Sequence, residues 1–250
     1  MRLISLAPSN TEILYALGVG DQLVATTHFC DWPAAATNLP KIGGWINTEP
    51  EQIADFKPDI ILTSYFVPEP LRSWSGPGTL LHVEPKSLSE VMDSIVQIGQ
   101  AVGANKQAQN VVETMQAAFT ELRAQPPAIR PTVYMEEWPQ PPMVSGNWVP
   151  ELVEIAGGQP VLAKSGTPSR GFELPELKDA DPDFMIFHWC GFGERFDQQT
   201  LKKRGGWNDL RAVRNGNIHA LDDSLLNRPG PRLVEGAQRI HAIVKTFTTV

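Results

Sequence analysis

The chain has 250 residues, with 28 acidic and 21 basic side chains and a formal net charge of -7 at pH 7. This acidic balance, together with the lack of any long Lys or Arg run, argues against a nucleic-acid partner and against an anionic membrane surface. No apolar stretch approaches the roughly 20 residues of a membrane span, so no membrane insertion is predicted.

The first half of the chain alternates predicted strands and helices. Strands are predicted at 2–7, 22–27, 57–66 and 80–83, and helices at 9–18, 50–56 and 87–103. Ser9 and Glu12 have the Ser-x-x-Glu spacing of a capping box, which predicts that the first helix opens there. Alternating β and α elements indicate a mostly parallel sheet with right-handed crossovers.

A long helix is predicted next, at 105–124. Val111, Met115, Phe119 and Leu122 recur there at helical spacing without an intervening Gly or Pro, which gives a rod of roughly 30 Å. The second half then repeats the strand and helix alternation. Strands are expected at 132–136, 181–188 and 217–223, and helices at 150–157 and along the apolar positions from 233 to 247.

The two halves carry matching segments. TEILYALG at 11–18 is answered by PELVEIAG at 150–157, and KPDIILTSYF at 57–66 by DPDFMIFHWC at 181–190. The predicted fold class is therefore α/β, with two Rossmann-like lobes of mostly parallel sheet at 1–104 and 126–250. One long rigid helix at 105–125 joins them, and a ligand cleft is expected between the lobes.

Two loops after equivalent strands share a His-x-Cys pattern, His28 with Cys30 and His188 with Cys190. In extended backbone, residues two apart point the same way, so each loop is expected to direct an imidazole and a thiol together into the cleft. If the four side chains converge, a His2Cys2 set suits zinc or a similar metal. The alternative is that each Cys is a small buried apolar residue. Two cysteines exclude a disulfide scaffold but leave room for one bridge.

Aromatic residues crowd the same loops, and most of them fall just after predicted strands. Such residues bind large, flat, partly apolar ligands with little loss of entropy, although packing near the lobe interface is an alternative explanation. The candidates for cleft lining are Phe29, Trp32, Trp45, Tyr65, Phe66, Trp138, Trp148, Trp189 and Phe192.

Charged candidates lie mainly in the second half. Arg228 and Arg232 flank the rigid NRPGPR loop, and Arg170 lies in a turn; each guanidinium suits a ligand carboxylate or phosphate. Alternatively, Arg232 caps local carbonyls or pairs with an acidic neighbour. Glu136 and Glu137 end a strand, so one carboxylate should face the cleft and the other away from it, and Glu136 is the candidate ligand contact.

No catalytic residues are predicted. Ser9 with His28, or Cys190 with His188, can be paired on paper, but no elbow motif surrounds either nucleophile. The GVG segment at 18–20 follows a helix and lacks the third glycine of a phosphate-binding loop. The sequence therefore favours a binding protein that requires no cofactor.

An ordered series of motifs spans nearly the whole chain. It comprises ISLAPSNTEILYALG at 4–18, VATTHFCDWPAAA at 24–36, IGGW at 42–45, PEQIADFKPDIIL at 50–62, the helix at 105–124, WVPELVEIAGG at 148–158, ADPDFMIF at 180–187 and NRPGPRLVEG at 227–236. Together these resemble the solute-binding proteins of vitamin B12 and iron-siderophore ABC importers, the helical-backbone type of periplasmic binding protein. The resemblance implies two α/β lobes joined by one helix, a shallow aromatic cleft and small closure on binding. Trp45 and Tyr65 occupy the positions of the family's B12-contacting aromatics, beside His28, Cys30 and Trp32.

The resemblance also predicts partners. The expected ligand is a corrinoid, a ferric siderophore or haem, with metal contacts from His28 and His188, and the protein is expected to be monomeric. An ABC permease is the implied protein partner. In the family an acidic residue on each lobe docks on the permease; Glu69 matches the first, whereas the second position holds Asn227.

Two alternatives stay open at this point. One is a cytoplasmic metal-handling or redox enzyme that uses the His and Cys loops, and the other is an interaction module with the same fold. Residues 1–6 meet Pro8 too early for the apolar core of a secretory signal, so neither the signal peptide nor the lipoprotein Cys of exported family members is expected here. The chain is expected to be soluble, and cytoplasmic as the sequence stands, or periplasmic if its N-terminus results from processing.

Overall fold

The computed structural model describes residues 1–44, 47–197 and 199–247. The chain divides into two compact units. The N-terminal unit comprises Met1–Pro85 and Ser89–Thr114, and the C-terminal unit comprises Lys86–Leu88 and Met115–Val250. The division falls inside one helix, Asn105–Arg123, so the helix contributes residues to each unit.

A parallel sheet forms the centre of the N-terminal unit. Its strands are β1 (Leu3–Ser5), β2 (Leu23–Thr26), β3 (Ile60–Ser64) and β4 (Thr79–Val83), in the order β2-β1-β3-β4. Neighbouring strands pair in parallel throughout. The main helices are α1 (Pro8–Ala16), α2 (Pro50–Asp55), α3 (Leu88–Ala101) and α4 (Asn105–Arg123).

The central strands of this sheet are apolar on both faces. Leu3, Ile4, Ile61 and Leu62 are all completely buried. Continuous apolar runs of this kind are typical of parallel strands that are covered on both sides. Each such side chain contributes about 1.5–3 kcal/mol relative to an exposed position, so burial of these strands is a principal source of the unit's stability.

Helix α1 starts one residue before the predicted capping box. Its N-cap is Ala7, which makes no side-chain capping bond, and Pro8 occupies the first turn. Proline favours this position because its fixed φ is already helical and its missing N–H would have no partner there. Ser9 and Glu12 are buried instead. The capping-box prediction is therefore wrong, although the helix itself is confirmed.

The C-terminal unit has a mixed sheet. Its strands are β5 (Thr132–Pro139), β6 (Pro142–Val144), β7 (Gln159–Pro160), β8 (Arg170–Gly171), β9 (Phe184–Phe187) and β10 (Ile218–Ala220). The order is β10-β9-β5-β6-β8, with β7 also paired to β5. The β5 pairings with β7 and β9 are parallel, as is β9 with β10, whereas β6 pairs antiparallel with β5 and β8. The sequence predicts the parallel part and misses the hairpin from β5 to β6.

Helices cover this mixed sheet. They are α5 (Val149–Ile155), α6 (Leu174–Ala180), α7 (Gln199–Lys203), α8 (Arg211–Arg214) and α9 (Leu233–Val244). Aromatic side chains dominate the core on one side of the sheet: Tyr134 makes edge contacts with Phe187 at 6.4 Å and Trp207 at 6.1 Å between ring centroids. Edge-to-face packing of this kind fixes ring orientation as well as burying apolar area.

Helix α4 confirms the long helix predicted between the repeated segments. It runs without a break for 19 residues, and Met115, Phe119 and Leu122 lie on its buried side. Among the residues that the structure describes, no helix combines the length and apolarity needed to cross a membrane.

Candidate functional site

Exposed aromatic side chains gather where the parallel strands of the N-terminal unit end. Phe29 and Trp32 follow β2 and are 54% and 50% exposed, and Tyr65 follows β3 and is 66% exposed. Because parallel strands end at the same edge of a sheet, these side chains lie along one edge, which we call the N-terminal aromatic edge. Large apolar groups left this exposed together are uncommon and indicate a binding surface.

The backbone of Tyr65 holds its ring at that edge. Its φ is +71°, in the left-handed region that residues other than glycine seldom occupy. The Tyr65 N–H donates to the Val83 carbonyl at 3.3 Å, which fixes the turn at the end of β3. The ring meets Phe66 edge-on at 6.3 Å. Strained backbone of this kind is concentrated at functional positions.

The ring of Phe29 rests against a glycine. A Cβ added to Gly44 would lie 3.1 Å from the Phe29 ring, so the ring packs closely over this backbone. Gly44 is itself held by two side chains: its N–H donates to Asn47 Oδ1 at 2.7 Å and its carbonyl accepts from Thr48 Oγ1 at 2.9 Å. Trp45, the predicted neighbour in this loop, lies outside the described residues.

Lys41 fixes the loop that carries Phe29 and Trp32. Its ammonium donates to Thr26 Oγ1 at 2.9 Å and to the carbonyls of Cys30 and Ala36 at 3.0 and 2.9 Å. A charged donor shared among acceptors at both ends of a loop restrains the loop strongly. Sequence reasoning missed this residue because a lone Lys between two loops carries no motif.

The His28 and Cys30 side chains point in opposite directions. His28 is exposed, whereas Cys30 is 1% exposed with its sulfur 3.3 Å from Thr27 Oγ1. The Cys30 N–H donates to the Thr27 carbonyl at 3.1 Å, so the chain turns here instead of staying extended. The expectation that both side chains face one way is therefore wrong for this loop.

In the C-terminal unit, His188 is completely buried and uses both ring nitrogens. Nε2 lies 2.7 Å from Ser145 Oγ and Nδ1 lies 2.6 Å from Asn227 Oδ1, while Asn227 Nδ2 donates to the His188 carbonyl at 3.1 Å. Since the Asn227 oxygen must accept, Nδ1 carries the proton and Nε2 accepts from Ser145. Burial lowers the pKa of His188 to about 4, opposed by the Asn227 bond, so the ring is neutral at pH 7.

The predicted pairing of His188 with Cys190 also differs from the structure. His188 is buried and Cys190 is exposed, so the two side chains have different surroundings. The imidazole predicted to contact metal is thus enclosed in hydrogen bonds. Across the described part of the chain, no three or more His, Cys, Asp or Glu side chains come together as a metal site. Both cysteines are free thiols.

The two glutamates at the end of β5 have different environments. Glu136 is completely buried and accepts from Tyr134 at 2.6 Å, Trp189 at 2.8 Å and Arg204 at 2.8 Å. Burial raises its pKa, and the Arg204 guanidinium opposes that rise. Glu137 is partly exposed, with a pKa that burial also raises. Strand alternation turns the Glu136 carboxylate inward. Glu136 therefore supports the surrounding core, and its carboxylate is not accessible for the predicted ligand contact.

The aromatic candidates of this unit divide into exposed and buried members. Trp138 and Phe192 are 41% and 38% exposed at the ends of β5 and β9, and with Cys190 they form what we call the C-terminal aromatic edge. Trp148 and Trp189 are buried. The Trp148 indole donates to the Leu226 carbonyl at 2.7 Å, so this predicted ligand contact packs inside the unit.

The charged candidates also differ in their surroundings. Arg170 is exposed and donates to Glu176 at 2.8 Å and to the Leu162 carbonyl at 3.1 Å, and this contact lowers the pKa of Glu176. Arg228 is partly buried and close enough to Cys190 to lower the pKa of its thiol. Partial desolvation of the sulfur, although the residue is exposed as a whole, and the Asp223 and Glu137 carboxylates outweigh that influence and raise the Cys190 pKa.

Glu69, the predicted permease contact, lies on the surface of the N-terminal unit. It occupies a short helical turn, Glu69–Leu71, and forms an ion pair with Arg72 at 2.8 Å. The pair is well exposed on both sides, so it contributes little to stability.

Comparison with known proteins identifies the family of this chain. Residues 3–225 match the periplasmic binding protein family. The chain is similar to an uncharacterized ABC transporter substrate-binding lipoprotein of Bacillus subtilis, at 28% identity over 96% of this chain and 78% of that protein. It is also similar to the vitamin B12-binding protein of Vibrio cholerae, at 27% identity over 98% and 89% of the two chains.

A solved structure supports the same assignment. The crystal structure of a possible iron-binding, periplasmic solute-binding protein of Staphylococcus epidermidis superposes with a TM-score of 0.81 at 26% identity, covering 97% of this chain and 98% of that one. The match confirms the α/β fold predicted from the sequence. The chain belongs to the periplasmic binding protein family, whose members bind substrates for transport and are not enzymes.

Proposed function

We propose that this protein is the solute-binding component of an ABC importer and that its cargo is a corrinoid or a comparably large metal chelate. The exposed aromatic edge in each unit is the observation that carries this proposal. Large flat chelates present extensive apolar faces, and exposed aromatic rings bind such faces at low entropic cost. The names of the relatives from Vibrio cholerae and Staphylococcus epidermidis agree with this class of cargo.

The proposed ligand contacts are the candidates that remain accessible. They are His28, Trp32 and Tyr65 in the N-terminal unit, and Trp138, Cys190, Phe192 and Arg228 in the C-terminal unit. Trp45 and Arg170 stay predictions. We assign any metal contact to His28 or Cys190 in place of His188, whose ring nitrogens both have partners inside the C-terminal unit. The chelate is cargo, so its metal is not a resident cofactor.

The proposed partner is an ABC permease, docked through the surface that carries Glu69. The relatives of this chain are named as periplasmic or lipoprotein binding proteins. We propose that this protein also works outside the cytoplasm and that it is a monomer. We retain residues 105–125 as the proposed connecting helix between domains at 1–104 and 126–250.

Absorbance titration tests the cargo directly. Cyanocobalamin, haemin and ferrichrome are titrated into the protein while the visible spectrum and the Trp fluorescence are recorded. Saturable binding of one of these chelates is the expected result. If none binds, the proposed function is wrong and an interaction module becomes the better hypothesis. Retention of free metal without any chelate would instead support a metal-handling protein.

Aquocobalamin tests metal contact separately, because its axial water can be replaced by an imidazole or a thiolate. A shift of its visible band on binding is expected to disappear in His28→Ala or in Cys190→Ser, whichever side chain reaches the metal. His82→Ala is the matched control, since His82 lies in β4 with its ring bonded to Thr63. If the band shifts equally in all three variants, neither His28 nor Cys190 is a ligand of the metal.

A further inference from the structure

We propose that Asp223 and Arg195 clamp the loop 190–193 from two sides and thereby present Phe192 and the Cys190 thiol to the ligand. The proposal rests on the proposed binding function. It assigns Asp223 as a positioning residue, which shapes the ligand surface without touching the ligand itself.

Asp223 holds the N–H groups of this loop. Asp223 is 9% exposed, and its carboxylate accepts two backbone bonds, at Oδ2 from the Gly191 N–H at 2.9 Å and at Oδ1 from the Gly193 N–H at 2.7 Å. Bonds from backbone N–H groups to an ionised carboxylate are among the stronger hydrogen bonds in proteins. Both glycines have positive φ, +82° and +60°, a conformation that glycine adopts at little cost. One buried carboxylate therefore fixes the path of the backbone on either side of Phe192.

Arg195 holds the carbonyl groups of the same loop. Its Nε donates to the Phe192 carbonyl at 2.9 Å and its Nη2 to the Gly191 carbonyl at 3.4 Å. The Phe192 N–H donates in turn to the Trp189 carbonyl at 2.9 Å. The N–H groups of 190–193 and the carbonyls of Gly191 and Phe192 thus have partners within the C-terminal unit. Arg195 is exposed, so we expect Asp223 to make the larger contribution.

The clamped loop is anchored to the buried core. The Phe192 ring meets Trp189 edge-on at 5.7 Å, and the Trp189 indole donates to buried Glu136 at 2.8 Å. The exposed ring is therefore supported from below while its backbone is held on both sides. A loop ordered in advance loses little conformational freedom on binding, and this preorganisation raises affinity.

Asp223→Asn tests the clamp. The amide keeps one acceptor oxygen but turns an NH2 group toward the second backbone N–H, so one bond is lost and two donors oppose each other. Asp222→Asn is the matched control because it removes the same charge from the adjacent position. Asp222 uses a single oxygen, Oδ1, to accept from Ser224 N–H at 2.8 Å, and an amide oxygen can retain that bond. Arg195→Gln provides a second, exposed variant if Asp223→Asn folds poorly.

Two readouts need no ligand. Hydrogen exchange at the Gly191 and Gly193 amides should accelerate in Asp223→Asn and stay unchanged in Asp222→Asn. Alkylation of Cys190 at pH 8 should accelerate several-fold, because releasing the Gly191 and Gly193 N–H groups loosens the loop and opens the thiol to the reagent. Buried Cys30 serves as the internal reference thiol. A purely structural loss of stability would instead raise the reactivity of both cysteines together.

The third readout is affinity for cyanocobalamin, which should fall about tenfold in Asp223→Asn, mainly through faster dissociation, and stay unchanged in Asp222→Asn. Unchanged amide exchange at Gly191 and Gly193 would overturn the clamp. Faster exchange with unchanged cyanocobalamin affinity would overturn the presenting role. If the unaltered protein binds no chelate, the proposed function fails by itself, while the exchange and alkylation results still decide whether the clamp exists.

Discussion

The guanidinium of Arg204 donates to the carboxylate of Glu136 at 2.8 Å, and that carboxylate is completely buried. Arg204 also donates to the Pro139 carbonyl at 2.6 Å and lies 4.5 Å from the centroid of the Trp207 ring. The pair therefore ties the end of β5 to a segment that lies 65 or more positions further along the chain. The exposed part of the C-terminal aromatic edge is built on this buried network.

Arg204→Ala should lower the free energy of unfolding by about 3–5 kcal/mol, because it leaves a buried carboxylate without its cation. Glu136→Gln with Arg204→Met should cost less than the sum of the two single changes, with a coupling of about 1–3 kcal/mol. Urea unfolding followed by Trp fluorescence measures both quantities. Arg239→Ala is the control: its pair with Glu235 is exposed on the surface, so the expected loss is under about 1 kcal/mol. Equal losses for the two arginines would contradict the importance of burial.

Much of the fold follows from the sequence because its signals are local. Helix α4 and the central strands β1 and β3 were predicted from uninterrupted apolar periodicity, and the structure confirms them. The hairpin from β5 to β6 was missed because Pro139, Pro141 and Pro142 obscure the strand pattern. The antiparallel pairing of β5 with β6 depends on contacts that the strand propensities of the residues do not reveal.

The candidate site was harder to predict because side-chain direction depends on backbone turns. The His-x-Cys expectation assumes extended backbone, but the first loop turns at Cys30, and in each loop one member of the pair is buried while the other is exposed. Trp148 and Trp189 follow the same loop composition as the exposed aromatics and are nevertheless buried. The partners that decide their orientation, such as the Leu226 carbonyl for Trp148, are 78 positions away along the chain.

Stability should fall as the pH is lowered from about 6.5 toward 4, because of His188. The pKa of its imidazole is about 4 in the folded protein, compared with an ordinary value of 6.5, so the unfolded chain binds the extra proton first. The contribution is complete above pH 6.5 and is lost across this interval, a total of roughly 3 kcal/mol. Urea unfolding at a series of pH values measures it.

The matched variant for this pH effect is His188→Gln, which cannot titrate. Its overall stability should be lower because the bonds to Ser145 and Asn227 are altered. Its dependence on pH between 6.5 and 4 should nevertheless be shallower than that of the unaltered protein. Identical slopes for the two proteins would show that other groups cause the loss.

Lys41→Met should loosen the loop that carries Phe29 and Trp32. The change removes three hydrogen bonds from one ammonium and should lower the free energy of unfolding by about 1–3 kcal/mol. Alkylation of Cys30 should also accelerate, since its carbonyl is one of the three acceptors. Lys106→Met, on the exposed side of α4, removes the same charge and should change neither measurement. Unaltered Cys30 reactivity in Lys41→Met would show that this lysine does not restrain the loop.

Tyr65→Ala should weaken cyanocobalamin binding by about 10- to 100-fold, because it removes the most exposed ring of the N-terminal aromatic edge. The same change should alter the free energy of unfolding by less than about 0.5 kcal/mol, since the ring contributes little to the core. Tyr65→Phe retains the ring and is the matched control. If Tyr65→Phe weakens binding as much as Tyr65→Ala, the hydroxyl and not the aromatic face makes the contact. A Tyr65→Ala protein with unchanged affinity would remove Tyr65 from the proposed ligand contacts.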